Sequence, residues 1–102
     1  MLIFKNDMNY LNINDDINEN YLLSNGQYFH FHRCDDGFDY TIYDHNGMEI
    51  DGGILEYEFI TPLTVKDILK ELSEFTGIKE LLEKKEIIDE SIIESFEERM
   101  VI

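Results

Sequence analysis

His30, His32 and Cys34 recur at every second position. In an extended segment that spacing places the three side chains about 6.6 Å apart in succession on one face. Imidazole and thiolate are donors that zinc accepts, and a closed tetrahedron would take its fourth ligand from Asp36 or His45. No Cys-x-x-Cys pair or second spaced pair completes such a set, so polar strand residues are the simpler identity and no metal is expected. Cys34 beside two histidines also suggests a nucleophile, but it lacks a local signature, and the adjoining Asp35 and Asp36 oppose the thiolate that such chemistry needs.

Asp44, Asn46 and Gly47 begin like a calcium loop. That loop requires three spaced oxygen ligands before its glycine and a glutamate six positions after it; only Asp44 and Asn46 precede Gly47 here, and position 53 is Gly53. A plain hairpin turn accounts for the segment. Gly52-Gly53 offers backbone amides to a phosphate, yet Asp51 and Glu56 flank it with the wrong sign. No catalytic residue, cofactor or metal is therefore expected, and the chain is read as non-enzymatic.

The elements that position these residues follow from period and turn chemistry. Tyr28, His30, His32 and Cys34 alternate with Phe29, Phe31 and Arg33, which predicts a strand over 27–34. Asp35-Asp36-Gly37 supplies a hairpin turn with a glycine of positive φ, and Phe38, Tyr40 and Ile42 alternate with Asp39, Thr41 and Tyr43 to predict a strand over 38–44. A tight turn at 44–47 leads into a third strand over 48–59, with a bulge or kink expected at Asp51-Gly52-Gly53. Thr64 and Asp67 form an N-cap pattern for a helix over 64–76, which Gly77 stops, and a last helix is predicted over 89–100. Residues 1–26, rich in Asn and Asp, are expected as an arm or a short strand. The whole is a single α+β domain over 1–102: the arm, an antiparallel meander of three or four strands within 27–60, and a helical part at 63–102 with two or three helices on one sheet face. The expected core is Phe29, Phe31, Ile68, Leu72, Phe75, Ile93 and Phe96.

The chain has 102 residues, of which 43% are hydrophobic and 13% aromatic, enough for one modest core and against wholesale disorder. Its 23 acids and 8 bases give a net charge of −15, which disfavours direct binding of nucleic acid or an anionic membrane and favours basic protein partners. One cysteine excludes an intramolecular disulfide and suits a reducing compartment. The apolar stretch before Lys5 is far shorter than a secretory signal core, and no later stretch approaches a membrane span, so a cytoplasmic address is expected.

The acids are unevenly placed. Asp35, Asp36, Asp39, Asp44, Glu49, Asp51, Glu56 and Glu58 lie in a stretch without Lys or Arg, whereas residues 66–102 mix 11 acids with 6 bases. Glu49/Asp51 and Glu56/Glu58 are i, i+2 pairs, each expected on one side of a strand at about 6.6 Å, of the order of the spacing of successive phosphates. These eight residues are the candidate partner-binding set.

Gly37-Phe38-Asp39-Tyr40-Thr41, with Asp51-Gly52-Gly53 and a following helix, resembles the large polyvalent protein associated domains found in proteins of conjugative plasmids and phages of Gram-positive bacteria. The resemblance runs over roughly residues 28–75 and implies a mobile-element setting in a bacterial host cytoplasm, with no catalytic residue set. Small acidic proteins of such elements are often anti-CRISPR or antirestriction factors, and this chain is similar to them in size and charge, with a type II-A anti-CRISPR protein as the implied member. The expected function is a non-enzymatic inhibitor that occupies the basic nucleic-acid channel of a type II CRISPR effector nuclease and blocks guide RNA loading or target DNA binding. The alternative is a structural or regulatory accessory domain that binds another mobile-element protein.

Overall fold

The fold is described from a computed structural model, over residues 10–11, 17–57, 63–83 and 85–100. In chain order it contains β1 (Tyr10–Leu11), β2 (Asn18–Leu22), β3 (Tyr28–Cys34), β4 (Gly37–Tyr43), β5 (Glu49–Glu56), β6 (Leu63–Thr64), α1 (Val65–Thr76), a 3₁₀ turn (Lys79–Leu82), β7 (Glu86–Ile87) and α2 (Glu90–Met100). β1 and β6 pair with each other, and the remaining strands form one antiparallel sheet in the order β5-β4-β3-β2-β7. The architecture is α+β, with five strands in the main sheet instead of three or four.

β3 and β4 are the centre of the sheet. They pair from Tyr28 opposite Tyr43 to Cys34 opposite Gly37, so the two-residue turn Asp35-Asp36 fixes the register. Gly37 has φ 154°, and a Cβ there would collide with the Leu55 carbonyl oxygen, so this position needs glycine for β5 to approach. β5 follows β4 with a register shift between Ile42 and Tyr43. The bulge therefore lies at Ile50, while Gly52 and Gly53 pair regularly with Thr41 and Tyr40.

The alternation of β3 and β4 puts large side chains on both faces of the sheet. Phe29, Phe31, Phe38, Tyr40 and Ile42 join Tyr21 of β2 and pack with Val65, Ile68, Leu69 and Leu72 of α1 and with Leu81 of the 3₁₀ turn. Phe29 and Tyr40 stack in this layer at 5.8 Å and 6°. On the other face Tyr28 and Tyr43 meet α2, whose Phe96 ring stands 4.9 Å from Tyr28 and 5.4 Å from Tyr43, beside Ile93. The two helices thus cover opposite faces, not one, because Tyr28 and Tyr43 leave an apolar strip on the face that the histidines make polar.

The termini of α1 follow from its caps. Thr64 accepts the Asp67 N–H at 3.1 Å and donates its own N–H to Asp67 at 2.9 Å, a reciprocal capping box, and Gly77 ends the helix at φ 79°. These bonds hold the Asp67 carboxyl below its usual range. Asp89 starts α2 by accepting the Ser91 N–H.

Phe29, Phe31, Ile68, Leu72, Ile93 and Phe96 are buried as expected, but Phe75 is 54% exposed, at the last turn of α1, with its ring edge-on to Tyr40 at 6.1 Å. Phe31→Ala should therefore destabilise the fold by about 3–5 kcal/mol. Phe75→Ala should lose only about 1 kcal/mol from its aromatic pair. Urea unfolding of both variants checks the contrast; equal losses would place Phe75 inside the core.

Candidate functional site

The β3–β4–β5 hairpins carry the candidate acids, and the register distributes them unequally. Asp35 and Asp36 occupy the exposed turn, and Glu56, opposite Gly37, is exposed at the same end of the sheet. The Tyr57 N–H donates to the Asp36 carbonyl at 3.0 Å and ties that end together. Asp39 is half-buried on the α2 face, between His32 of β3 and Ile54 of β5.

Asp44 belongs to the opposite end. One of its carboxylate oxygens accepts the Asn46 and Met48 N–H groups at 2.8 and 3.0 Å, which closes the β4–β5 turn and holds its carboxyl below the usual range. Its role is thereby accounted for by the turn. Glu49 and Asp51 were expected on one side of the strand, but the bulge at Ile50 separates them: Glu49 pairs with Tyr43 on the α2 face and Asp51 with Ile42 on the α1 face. Asp51 also accepts the Gly52 N–H at 2.8 Å. Glu58, and with it the Glu56/Glu58 pair, lies outside the described residues.

The exposed hairpin carboxylates that accept no hydrogen bond from the described residues are therefore Asp35, Asp36, Glu49 and Glu56. Of the glutamates of α2, Glu90 accepts from the Asn18 amide at 3.1 Å and Glu97 from the Tyr43 hydroxyl at 3.4 Å. They add to the acidic potential of the α2 face, a contribution that hairpin sequence alone does not reveal. Burial first, and then Glu97, push the Tyr43 hydroxyl up to about 12.

His30, His32 and Cys34 do share one face, as their spacing predicts, and the two imidazoles lie 5.6 Å apart. They are not brought into a ligand set: among the described residues no three His, Cys, Asp or Glu side chains converge to hold a metal ion. Instead the buried Asn20 side-chain amide lies 2.6 Å from His30 Nδ1, a hydrogen bond that holds the imidazole on β2. Burial, and then His32, lower the His30 pKa, against the opposing pull of Glu97, Glu90 and Asp39.

A groove of about 650 Å³ between α1 and the 3₁₀ turn is lined by Lys66, Lys70 and Lys85 together with Asp67, Glu74 and Glu83. Its charges balance, so it offers no net attraction to an anion. No helix among the described residues is long and apolar enough to cross a membrane.

The lowered His30 pKa has a definite sign in stability. Below about pH 6.5 the unfolded chain takes up a proton that folded His30 resists, so its contribution is complete above 6.5 and is lost as the pH falls toward the folded value. Thermal unfolding between about pH 7.5 and 5 should show a larger loss for the wild type than for His30→Gln. An identical pH dependence in the two proteins would remove His30 as the responsible group.

Comparison with known proteins extends the resemblance, read over residues 28–75, to most of the chain. The family model for large polyvalent protein-associated domain 16 matches residues 14–100, from before β2 to the last residue of α2. No curated protein and no solved structure matches the chain. With most of its length inside that match, the chain belongs to the large polyvalent protein-associated domain 16 family.

Proposed function

We propose that this chain is a non-catalytic, mobile-element-associated binding protein that docks on a basic protein surface through the acidic β3–β5 hairpins. The observation that carries this reading is the exposure of Asp35, Asp36, Glu49 and Glu56 in a stretch with no lysine or arginine between Arg33 and Lys66. A field of one sign accelerates encounter with an opposite surface and rejects nucleic acid and other acidic surfaces. Family membership supports the accessory, mobile-element setting.

The partner we propose is the nucleic-acid channel of a type II CRISPR effector nuclease, whose strong positive charge reads the nucleic-acid backbone. Carboxylates in that channel would take the place of phosphates and exclude guide RNA or target DNA. The bulge at Ile50 divides the acids between two faces, so the mimicry is one of net field and not of evenly spaced phosphates.

The test compares two charge reversals of equal size. Asp36, Glu49 and Glu56 changed together to Lys should weaken effector binding by at least about tenfold and abolish inhibition, because such contacts act on association and its salt dependence. Glu71, Glu74 and Glu98, exposed on the two helices, serve as the matched control and should leave both nearly intact. Cleavage assays with guide RNA added before or after the protein then locate the block. Equal behaviour of the two sets would overturn the acidic-hairpin surface. Absence of effector binding at low salt would overturn the effector and leave a large polyvalent protein as the partner to assay.

A further inference from the structure

β5 is the long edge of the main sheet: among the described residues no strand pairs with its outer side, while the opposite edge, β7, has only two residues. The Tyr57 N–H bond to the Asp36 carbonyl fixes the phase of the β4–β5 ladder. Antiparallel pairing alternates, so Leu55 and Gly53 turn their backbone groups inward, and Gly52, Ile54 and Glu56 turn theirs outward. The Asp51 carboxylate accepts the Gly52 N–H, as an outward amide allows. That leaves the amide and carbonyl groups of Ile54 and Glu56 facing away from the sheet.

The side chains around this edge are unusually apolar for a strand rim. Ile54 is 53% exposed and Ile50 51% exposed, and Phe75 stands over the α1 face beside Tyr40, whose partner across the ladder is Gly53. Gly53 adds no side chain over that spot, and a Cβ there would crowd the Tyr40 hydroxyl at 3.0 Å. Edges are commonly guarded by charge, and here Glu49, Asp51 and Glu56 all have the same sign. Guarding of this kind repels a second copy, since β5 against β5 would set these carboxylates against each other in a chain of net charge −15. The same charges attract a basic strand.

We propose that the outer edge of β5 accepts an extended basic and apolar segment of the partner protein, which joins the sheet beside Ile54 and Glu56. Its apolar side chains meet Phe75 on the α1 face, and its Lys or Arg side chains, on the α2 face beside Ile54, meet Glu49 and Glu56. Main-chain bonds supply the attachment and the alternate side chains supply selectivity. The sign of the partner's charge rests on the acidic-surface reading, whereas the edge geometry does not depend on which protein the partner is.

Hydrogen exchange followed by NMR tests this directly, with an eight-residue peptide of alternating Lys and Val as the probe. In the free protein the Ile54 and Glu56 amides should exchange fast beside protected Gly53 and Leu55, and the peptide should slow Ile54 and Glu56 at least tenfold. The same peptide N-methylated at alternate residues keeps its charge and should fail to do so. Protection of Ile54 and Glu56 in the free protein, a β5-mediated dimer in sedimentation, or equal binding of the two peptides would overturn the proposal. Ile54→Pro removes an outward N–H without touching the inner ladder and should reduce peptide binding at least tenfold, with circular dichroism confirming the fold; Ile54→Lys, which keeps the amide and adds a like charge to the probe, should also weaken it. Effector binding that survives Ile54→Pro would overturn the edge and spare the acidic surface. Peptide addition without effector binding would sustain the edge and overturn the effector.

Discussion

Two central strands with large side chains on both faces impose a constraint that the rest of the chain satisfies. β3 and β4 present Phe29, Phe31, Phe38, Tyr40 and Ile42 to one side and Tyr28 and Tyr43 to the other, and either layer left in water forfeits about 25 cal/mol for each Å² of apolar surface. One amphipathic helix covers one face only. The chain therefore uses α1 on the broad aromatic layer and returns through the 3₁₀ turn and β7 to bring α2 across the other. β7 is short because its work is to redirect the chain: its two pairs with β2 and the Ile88 N–H bond to the Asn20 carbonyl anchor the crossing.

Much of this was legible where the local chemistry was strong. The alternation of 28–43, the Asp35-Asp36 turn, the Thr64/Asp67 cap and Gly77 each have one good structural solution, and each adopts it. β2 was only half legible, as an arm or a short strand within 1–26, because Asn18-Glu19-Asn20 has poor intrinsic strand preference. It becomes a strand through what surrounds it, with Tyr21 entering the core and Asn20 bonded to His30. The placement of α2 was hidden for a related reason, since Tyr28 is followed by His30 and His32 and that face reads as polar until Tyr43 and Phe96 close over it. Phe75 fits the helical period of α1 but falls at its last turn, beyond the end of the covering layer.

The acidic surface shows the limit of counting charges along a strand. Eight carboxylates without a base form a single sequence signal, yet their structural roles differ: Asp44 closes a turn, Asp51 caps an amide, and Asp39 is half-buried between strands. One inserted residue, Ile50, suffices to send Glu49 and Asp51 to different faces, because strand periodicity is two and every slip of one reverses it. Burial and backbone bonding, which decide these roles, are properties of the folded register and not of composition.

Gly37 and Gly53 connect the packing of the core to the bareness of the edge. Gly37 lets the β5 backbone come close at the turn end, and Gly53 makes room for the Tyr40 ring that stacks on Phe29. A side chain at Gly37 would force β5 away from β4, and one at Gly53 would crowd the Tyr40 hydroxyl, so neither position can carry bulk without disturbing the packed layer. Charge is then the remaining means of protecting the rim against its own copies, because carboxylates outside the packed layer need no room within it. Carboxylates of one sign at such a rim oppose a second copy of the chain without taking space from the packed layer.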